Sequence, residues 1–298
     1  MKLKLAALSI ALLASSGAFA QATDTLAKVK ASGVITMGVR DSSGLSFTLG
    51  DGKYAGYHVD ICQRIIANVE KAAGRKLEIK YLPVTSQNRI PLVQNGTVDI
   101  ECGSTTNNAT RQKDVAFAAT TFVEEVRIAV KADSGITSIS QLNGKNVATT
   151  TGTTSVQTLR KNERAKGVDF KEVFGKDHSD SFLLLESGRA DAFVMDGSIL
   201  ASNIANSKNP AGFKVVGEVL SVEPIAIMMR KDDPAFKKLS DDTIKDLIKT
   251  GEMAKIYDKW LMQPVPPKNV RVGLPASDST KAAWANPNDK PMEDYVKK

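Results

Sequence analysis

The chain is poor in the residues that build metal and nucleophilic centres. It has two histidines, His58 and His178, and two cysteines, Cys62 and Cys102, in 298 residues. No Cys or His pair stands at ligand spacing, so neither a metal nor a cofactor is expected. The sequence has no G-x-S-x-G, no P-loop and no H-E-x-x-H, which removes the familiar signatures of nucleophilic, phosphate-binding and zinc chemistry. Aromatic residues make up only 6%, and no Lys/Arg run reaches five, so nucleic acid is not an expected partner. Past the N-terminus no apolar run approaches the ~18 residues that cross a bilayer. What is present, 42% hydrophobic and 24% charged residues, is an ordinary globular composition. At roughly 100 to 200 residues per domain, the length suggests about two domains, each large enough to bury its own core.

The first twenty residues combine Lys2 and Lys4, an apolar stretch from Leu5 to Ala14, and Ala18-Phe19-Ala20, a small-x-small cleavage pattern. Residues 1–20 are therefore expected to be a signal peptide and the mature protein to be exported. No cysteine follows the cut, which argues against a lipid anchor, and a periplasmic location is expected in a diderm bacterium. Removing Lys2 and Lys4 takes the 40 basic residues to 38 against 33 acidic, a modest surplus spread along the chain. An oxidising compartment permits a Cys62–Cys102 bridge. Two buried free thiols are the alternative.

Hydrophobic periodicity alternates strands and helices. Val34 to Arg40 and Leu77 to Leu82 read as strands, with helical spacing of Val59, Cys62, Ile65, Ile66, Val69 and Ala73 between them. A short helix ending near Asn95-Gly96, a strand at Val98 to Cys102 and a polar turn follow. Later come strands at Lys145 to Thr150 and Ala190 to Met195, helices opened by Gly152 to Ser155 and Gly197, and a helical stretch from Leu239 to Met262. The alternation predicts an α/β fold with parallel sheets covered on both faces. Val126 to Lys131 and Pro224 to Arg230 read as two crossovers between lobes. The expected division is therefore 21–125 plus 226–298 in lobe 1 and 126–225 in lobe 2, with the Asn/Pro/Lys-rich tail wrapping the surface or partly mobile.

Open α/β sheets bind ligands beyond their strand ends, and four polar clusters stand there. Arg40 closes the first strand. Thr85-Ser86-Gln87-Asn88-Arg89 opens a helix whose free N–H groups favour an anion. Ser104, Thr106 and Arg111 follow Glu101-Cys102-Gly103. Thr151 to Thr154 makes another helix start, with His178 and Asp196 downstream. Three arginines, an aspartate and several hydroxyls suit a small anionic zwitterion. Taken alone, each cluster is more often a capping turn or a surface ion pair than a ligand contact, and His178 more often a partly exposed helix-entry histidine. His58 and the pair Glu124-Glu125 fall in that structural class, since adjacent residues on a strand point to opposite faces.

The runs Thr85 to Leu92, Glu101 to Asn108, Lys176 to Phe182 and Leu185 to Ala190 resemble the periplasmic glutamate/aspartate-binding proteins of amino-acid ABC transporters. The likeness extends from about Leu26 to Asp289. It implies a type II periplasmic binding fold, two α/β lobes joined by two hinge strands that close over a ligand. Ser104, Thr106, Arg111 and Thr154 fit the general amino-acid-binding pattern; Arg40, Ser86, Arg89 and His178 fit the narrower acidic-ligand pattern.

Carried over position by position, Arg111 should pair with the ligand α-carboxylate, helped by Thr106 and Thr154. Asp196 and Ser104 should receive the α-ammonium. Arg40, Ser86 and Arg89 should hold the side-chain carboxylate, with His178 approaching from the other lobe. Three arginines against one aspartate give this site a surplus of positive charge, which favours L-glutamate or L-aspartate over a neutral amino acid. Val222-Glu223-Pro224 departs from the pattern at the second crossover. The expected partners are the acidic amino acid and an inner-membrane ABC permease, and the expected state is a monomer without enzymatic activity. The alternatives are a glutamine or other polar amino-acid binder, a cyclohexadienyl dehydratase-like enzyme on the same fold, and a sensor protein.

Overall fold

The computed structural model describes residues 24–295, so the expected signal peptide lies outside the described residues. Two five-stranded sheets form the frame. The first runs Glu78–Pro83, Val34–Val39, Ile100–Glu101, Met228–Arg230 and Val115–Phe117; the second runs Phe213–Ile225, Phe122–Lys131, Ala192–Asp196, Asn146–Thr150 and Lys171–Gly175. Each is mixed and not wholly parallel. In the first, Val34–Val39 pairs in parallel with Glu78–Pro83 and Ile100–Glu101, but Met228–Arg230 is antiparallel to its neighbours. The second has a parallel core and two antiparallel strands at one side. The departure from the expected parallel sheets has a simple cause: strands that follow a crossover enter the next lobe from the hinge side and run against those laid down by β-α-β repeats.

The crossovers also differ in extent from the sequence expectation. The paired strands are Phe122–Lys131 and Phe213–Ile225, which run antiparallel from Ile225↔Phe122 through Ser221↔Val126, and Met228–Arg230 already belongs to the first sheet. An apolar stretch looks alike on either side of a hinge, so periodicity alone did not mark where the chain changes sheet.

Local sequence explains the main elements. Tyr57–Ala73 buries Cys62, Ile65, Ile66 and Val69 along one helical stripe and ends at Gly74 in the left-handed conformation. In the second sheet the strand alternation sorts Val126, Ile128, Val130, Val147 and Val194 to one face, against Leu159. Ala129, Ala148, Phe193 and Met195 face the other, against Phe182, Leu185, Ile199 and Leu200. The stretch from Leu239 to Met262 is not one helix. Pro234–Lys249 stops at Thr250, Gly251 takes φ +76°, and Glu252–Tyr257 continues into a π-helical turn at Asp258–Met262.

The tail wraps the hinge through residue 295. Thr280 Oγ1 accepts from the Val123 amide at 3.0 Å, Trp284 Nε1 donates to the Thr121 carbonyl at 2.8 Å, and the Thr120 amide donates to the Asn288 carbonyl at 2.8 Å. Beneath it Tyr57, Phe122, Tyr257 and Trp284 pack edge-on or stacked, and the Tyr57 hydroxyl donates to the Thr121 carbonyl at 2.9 Å.

Two features brace the strand ends of the first sheet. Cys62 and Cys102 form a disulfide that ties the long helix to the segment after Ile100–Glu101. His58, fully buried, contacts the Gly103 carbonyl through Nδ1 and Thr121 Oγ1 through Nε2 at 2.7 Å. A carbonyl only accepts, so Nδ1 carries a proton. Burial pushes this imidazole down to about 4, against a partial upward pull from the Gly103 contact.

Two expected outcomes follow from these braces. The double variant Cys62→Ala, Cys102→Ala reopens a loop of 40 residues, which should lower the unfolding free energy by about 4 kcal/mol in guanidinium titrations while leaving the circular dichroism spectrum unchanged. The second concerns pH. Because His58 titrates lower in the folded state than its ordinary value near 6.5, the unfolded chain binds more protons between about pH 4 and 6.5. Stability from this residue is complete above that window and is lost on acidification through it, by about 3 kcal/mol. Unfolding free energies of His58→Asn across the window should slope less steeply with pH than those of the wild type.

Candidate ligand-binding site

All four polar clusters converge where the C-terminal strand ends of the two sheets face one another. From the first sheet come Arg40, just after Val34–Val39; Ser86 and Arg89, at the start of the helix Arg89–Gln94; and Ser104, Thr106 and Arg111, in the turn after Ile100–Glu101. From the second come Thr154, first residue of the helix Thr154–Lys166; His178, first of His178–Glu186; and Asp196, last of its strand. Every one of the nine is buried. This contradicts the partly exposed alternative for His178. A buried charge needs compensation, so the contacts these residues make decide their chemistry.

Arg40 donates from Nη1 to Ser86 Oγ at 3.2 Å, and from Nη2 to both the Asp177 carboxylate and His178 Nε2, the latter at 3.1 Å. A guanidinium only donates, so His178 Nε2 accepts and Nδ1 carries the ring proton, directed to Thr150 Oγ1 at 3.0 Å. Burial, and Arg40 next to it, hold this imidazole well below its ordinary value and keep it neutral. Arg89 donates to the Ser104 carbonyl at 3.1 Å, while its Nε–H is buried without a partner. Burial, with Arg111 and Arg40 close by, lowers the Arg89 guanidinium from its ordinary value. Arg111 donates to the Thr106 carbonyl at 2.8 Å and its amide to Asn108 Oδ1 at 2.8 Å.

The second sheet supplies the counterpart. Burial beside Glu124 and Glu223 pushes the Asp196 carboxyl well above the usual carboxylate range, with Arg89 and Arg111 pulling it back. Such a group gains most from an incoming cation. Gly152 permits the close approach of its loop: it sits at φ +82°, and a Cβ there would lie 2.9 Å from the Ser86 carbonyl carbon and from the Gln87 amide nitrogen. Beside this contact a cavity of about 630 Å³ is lined by Ile90, Arg111, Thr154 and Phe174, within the size range of small-molecule sites.

Three carboxylates that the residue patterns did not assign to the site lie here as well. Glu223, on the second hinge strand, accepts from Thr106 Oγ1 at 2.7 Å and Thr154 Oγ1 at 2.6 Å, joining the two sheets through one oxygen. Glu101 accepts from Thr105 Oγ1 at 2.7 Å, and its other oxygen is buried without a partner. Asp177 holds Arg40. The surplus of positive charge expected from sequence is therefore corrected: Arg40, Arg89 and Arg111 face Glu101, Asp177, Asp196 and Glu223, and the site is near balance before any ligand is counted. What the balance leaves over is two guanidinium donors, Nε–H of Arg40 and of Arg89, buried without a protein partner. Asp177 stands beside His178 at the helix start, and Glu223 had stood out as a hinge irregularity. No sequence signal marked Glu101, because a carboxylate on a short strand looks like a surface residue.

Glu124 and Glu125 separate as alternation requires. Glu124 is buried and accepts from Ser198, and Glu125 is exposed enough to pair with Arg127 at 3.6 Å.

The chain matches the bacterial extracellular solute-binding proteins, family 3, over residues 35–263. It is 44% identical over 302 aligned positions to the glutamate/aspartate import solute-binding protein of Escherichia coli, covering 98% of this chain and all of that one. An L-glutamate/L-aspartate-binding protein of Pseudomonas aeruginosa is 44% identical over 290 positions, with 96% of each chain covered. Among solved structures, a mutant of ArgBP from T. maritima superposes with a TM-score of 0.70 at 28% identity, over 79% of this chain and 98% of that one. By its two lobes, its paired hinge strands and its near full-length match, the chain belongs to the bacterial extracellular solute-binding proteins, family 3.

Proposed function

We propose that this protein is the periplasmic solute-binding component of an ABC importer, capturing L-glutamate and L-aspartate between its lobes and delivering them to the permease as a monomer. The observation that carries the proposal is the burial of Arg40, Arg89 and Arg111 opposite Asp196 of the other sheet, with a guanidinium N–H of Arg89 left unpartnered. A zwitterion with a second carboxylate complements that set: two anionic ends for guanidiniums and one ammonium for a buried carboxyl.

In this assignment Arg111 takes the α-carboxylate together with Thr106 and Thr154. Each threonine has one hydroxyl proton and directs it to Glu223, so contact with the ligand requires that hydroxyl to turn away from the hinge carboxylate. Asp196 and Ser104 receive the α-ammonium, which recharges the Asp196 carboxyl. Arg89, Arg40 and Ser86 hold the side-chain carboxylate, with His178 neutral behind them. The lobes are 21–125 plus 226–298 and 126–225, and they close about the strands Phe122–Lys131 and Phe213–Ile225. The protein acts by binding and not by catalysis. One methylene is worth only ~1 to 3 kcal/mol of discrimination, so dual specificity is expected.

Calorimetry on ligand-stripped protein is the test. Glutamate and aspartate should bind, and glutamine, histidine and arginine should not; failure of both acidic amino acids to bind overturns the proposal. Removing one partner of a buried charge pair costs ~3 to 5 kcal/mol, against about 8 kcal/mol for a micromolar complex. Arg111→Ala should therefore lose measurable binding of every amino acid. Arg89→Ala should weaken glutamate by at least ~100-fold while glutamine changes less, narrowing the preference for an acidic side chain.

A further inference from the structure

Among the described residues, Asp177 is the group that ties the acidic-ligand cluster of the first lobe directly to the second by an ion pair. It occupies the N-cap position of His178–Glu186 in the second lobe without a side-chain capping bond, and its Oδ1 accepts a hydrogen bond from Arg40 Nη2 in the first. Its Oδ2 accepts from Ser42 Oγ at 3.1 Å, and the same Ser42 oxygen accepts from the Ser179 amide at 3.1 Å. The Arg40 side chain is fully buried and that of Asp177 is 17% exposed, so the pair sits largely out of water.

The donor inventory gives this contact a consequence for recognition. A guanidinium offers a carboxylate two forks, Nε with Nη2 and Nη1 with Nη2. Arg40 Nη2 has two protons, and Asp177 and His178 Nε2 take both. No two-donor fork of Arg40 is therefore open while the lobes are in contact, and what it keeps for a ligand is single hydrogen bonds, from its unpartnered Nε–H and from the second proton of Nη1. Arg89 donates from Nη1 to the Ser104 carbonyl and keeps its Nε–H unpartnered, so its Nε/Nη2 fork remains for a ligand. We infer that Asp177 is a positioning residue: it latches Arg40 across the cleft, holds the closed form, and leaves the fork of Arg89 as the two-donor contact to the ligand side-chain carboxylate, with Arg40 adding single hydrogen bonds. The recognition half of this inference rests on the acidic-ligand proposal above. The latch itself is a contact within the protein.

The two halves separate in single-molecule energy transfer between dyes on cysteines placed at the exposed Lys53 and Lys171, one on each lobe. Closed and open dwell times are recorded for the wild type, Asp177→Asn and Ser42→Ala, with and without glutamate. Loss of a largely buried, hydrogen-bonded charge pair acts on dissociation more than on encounter. Asp177→Asn should shorten the closed dwell about 30-fold and leave the open dwell within about threefold. Ser42→Ala, which removes one hydrogen bond to the Asp177 carboxylate and one from the Ser179 amide but leaves the ion pair in place, should shorten it less. A merely structural role would lower thermal stability without this split between the two dwells.

An unchanged closed dwell in Asp177→Asn overturns the latch. So does a longer one, which would make Asp177 a rival of the ligand for Arg40, and so does a wild type that never closes in either condition. A closed dwell that depends on Asp177 but not on glutamate leaves the latch standing and sinks the acidic-ligand assignment. If Asp177→Asn does not fold, Asp177→Glu with Ser42→Ala carries the same comparison, and equal closed dwells in the wild type and both variants overturn the latch.

Discussion

Three guanidinium groups are buried at the contact between two lobes, and the rest of the structure is arranged around the cost of keeping them there. A lone buried cation is prohibitively expensive, so each must meet acceptors, and the acceptors come from both lobes. Arg40 meets Asp177 and His178 of the second lobe, Arg89 the Ser104 carbonyl, Arg111 the Thr106 carbonyl. Because part of the compensation lies across the cleft, closure and electrostatic satisfaction become one event. In the proposed function, an anion between the lobes supplies the remainder.

The scaffold serves that constraint. Parallel strands place their C-terminal ends along one edge of each sheet, which brings residues distant in the chain, such as Arg40 and Arg111, to a common rim. The two antiparallel hinge strands set those rims face to face, and Glu223 within one of them bonds a threonine from each lobe. The aromatic group of Tyr57, Phe122, Tyr257 and Trp284, with the tail hydrogen-bonded over it, fixes the root of the hinge. Cys62–Cys102 and His58 fix the turn that presents Ser104. Rigid rims on a two-strand hinge allow movement between the lobes while each half-site keeps its geometry.

Local chemistry made much of this legible. The strand from Val34, the helix over residues 58 to 73, the turn after Glu101 and the helix starts at Thr154 and His178 all carry periodicity or capping signals that hold wherever the segment is placed. All nine expected ligand contacts lie at the lobe interface, because each belonged to a polar turn at a strand end. The helix expected from Leu239 to Met262 breaks at Gly251, where apolar spacing continues through a turn that only the backbone conformation reveals. The hinge limits shifted for a related reason, since a strand that leaves one sheet for another keeps the same alternation.

The α/β alternation and the identity of the polar clusters depend on patterns within a few residues, so the amino-acid order suffices to read them. The charge balance of the site is set by the folded arrangement alone. Asp177, Glu101 and Glu223 come close to the arginines through pairings distant in the chain, and which protons a guanidinium has left to give depends on every neighbour that reaches it. Burial turned His178 from a helix-entry residue into a neutral acceptor for Arg40 and raised the Asp196 carboxyl out of its ordinary range. Both are properties of the space between the lobes, which no single segment encodes.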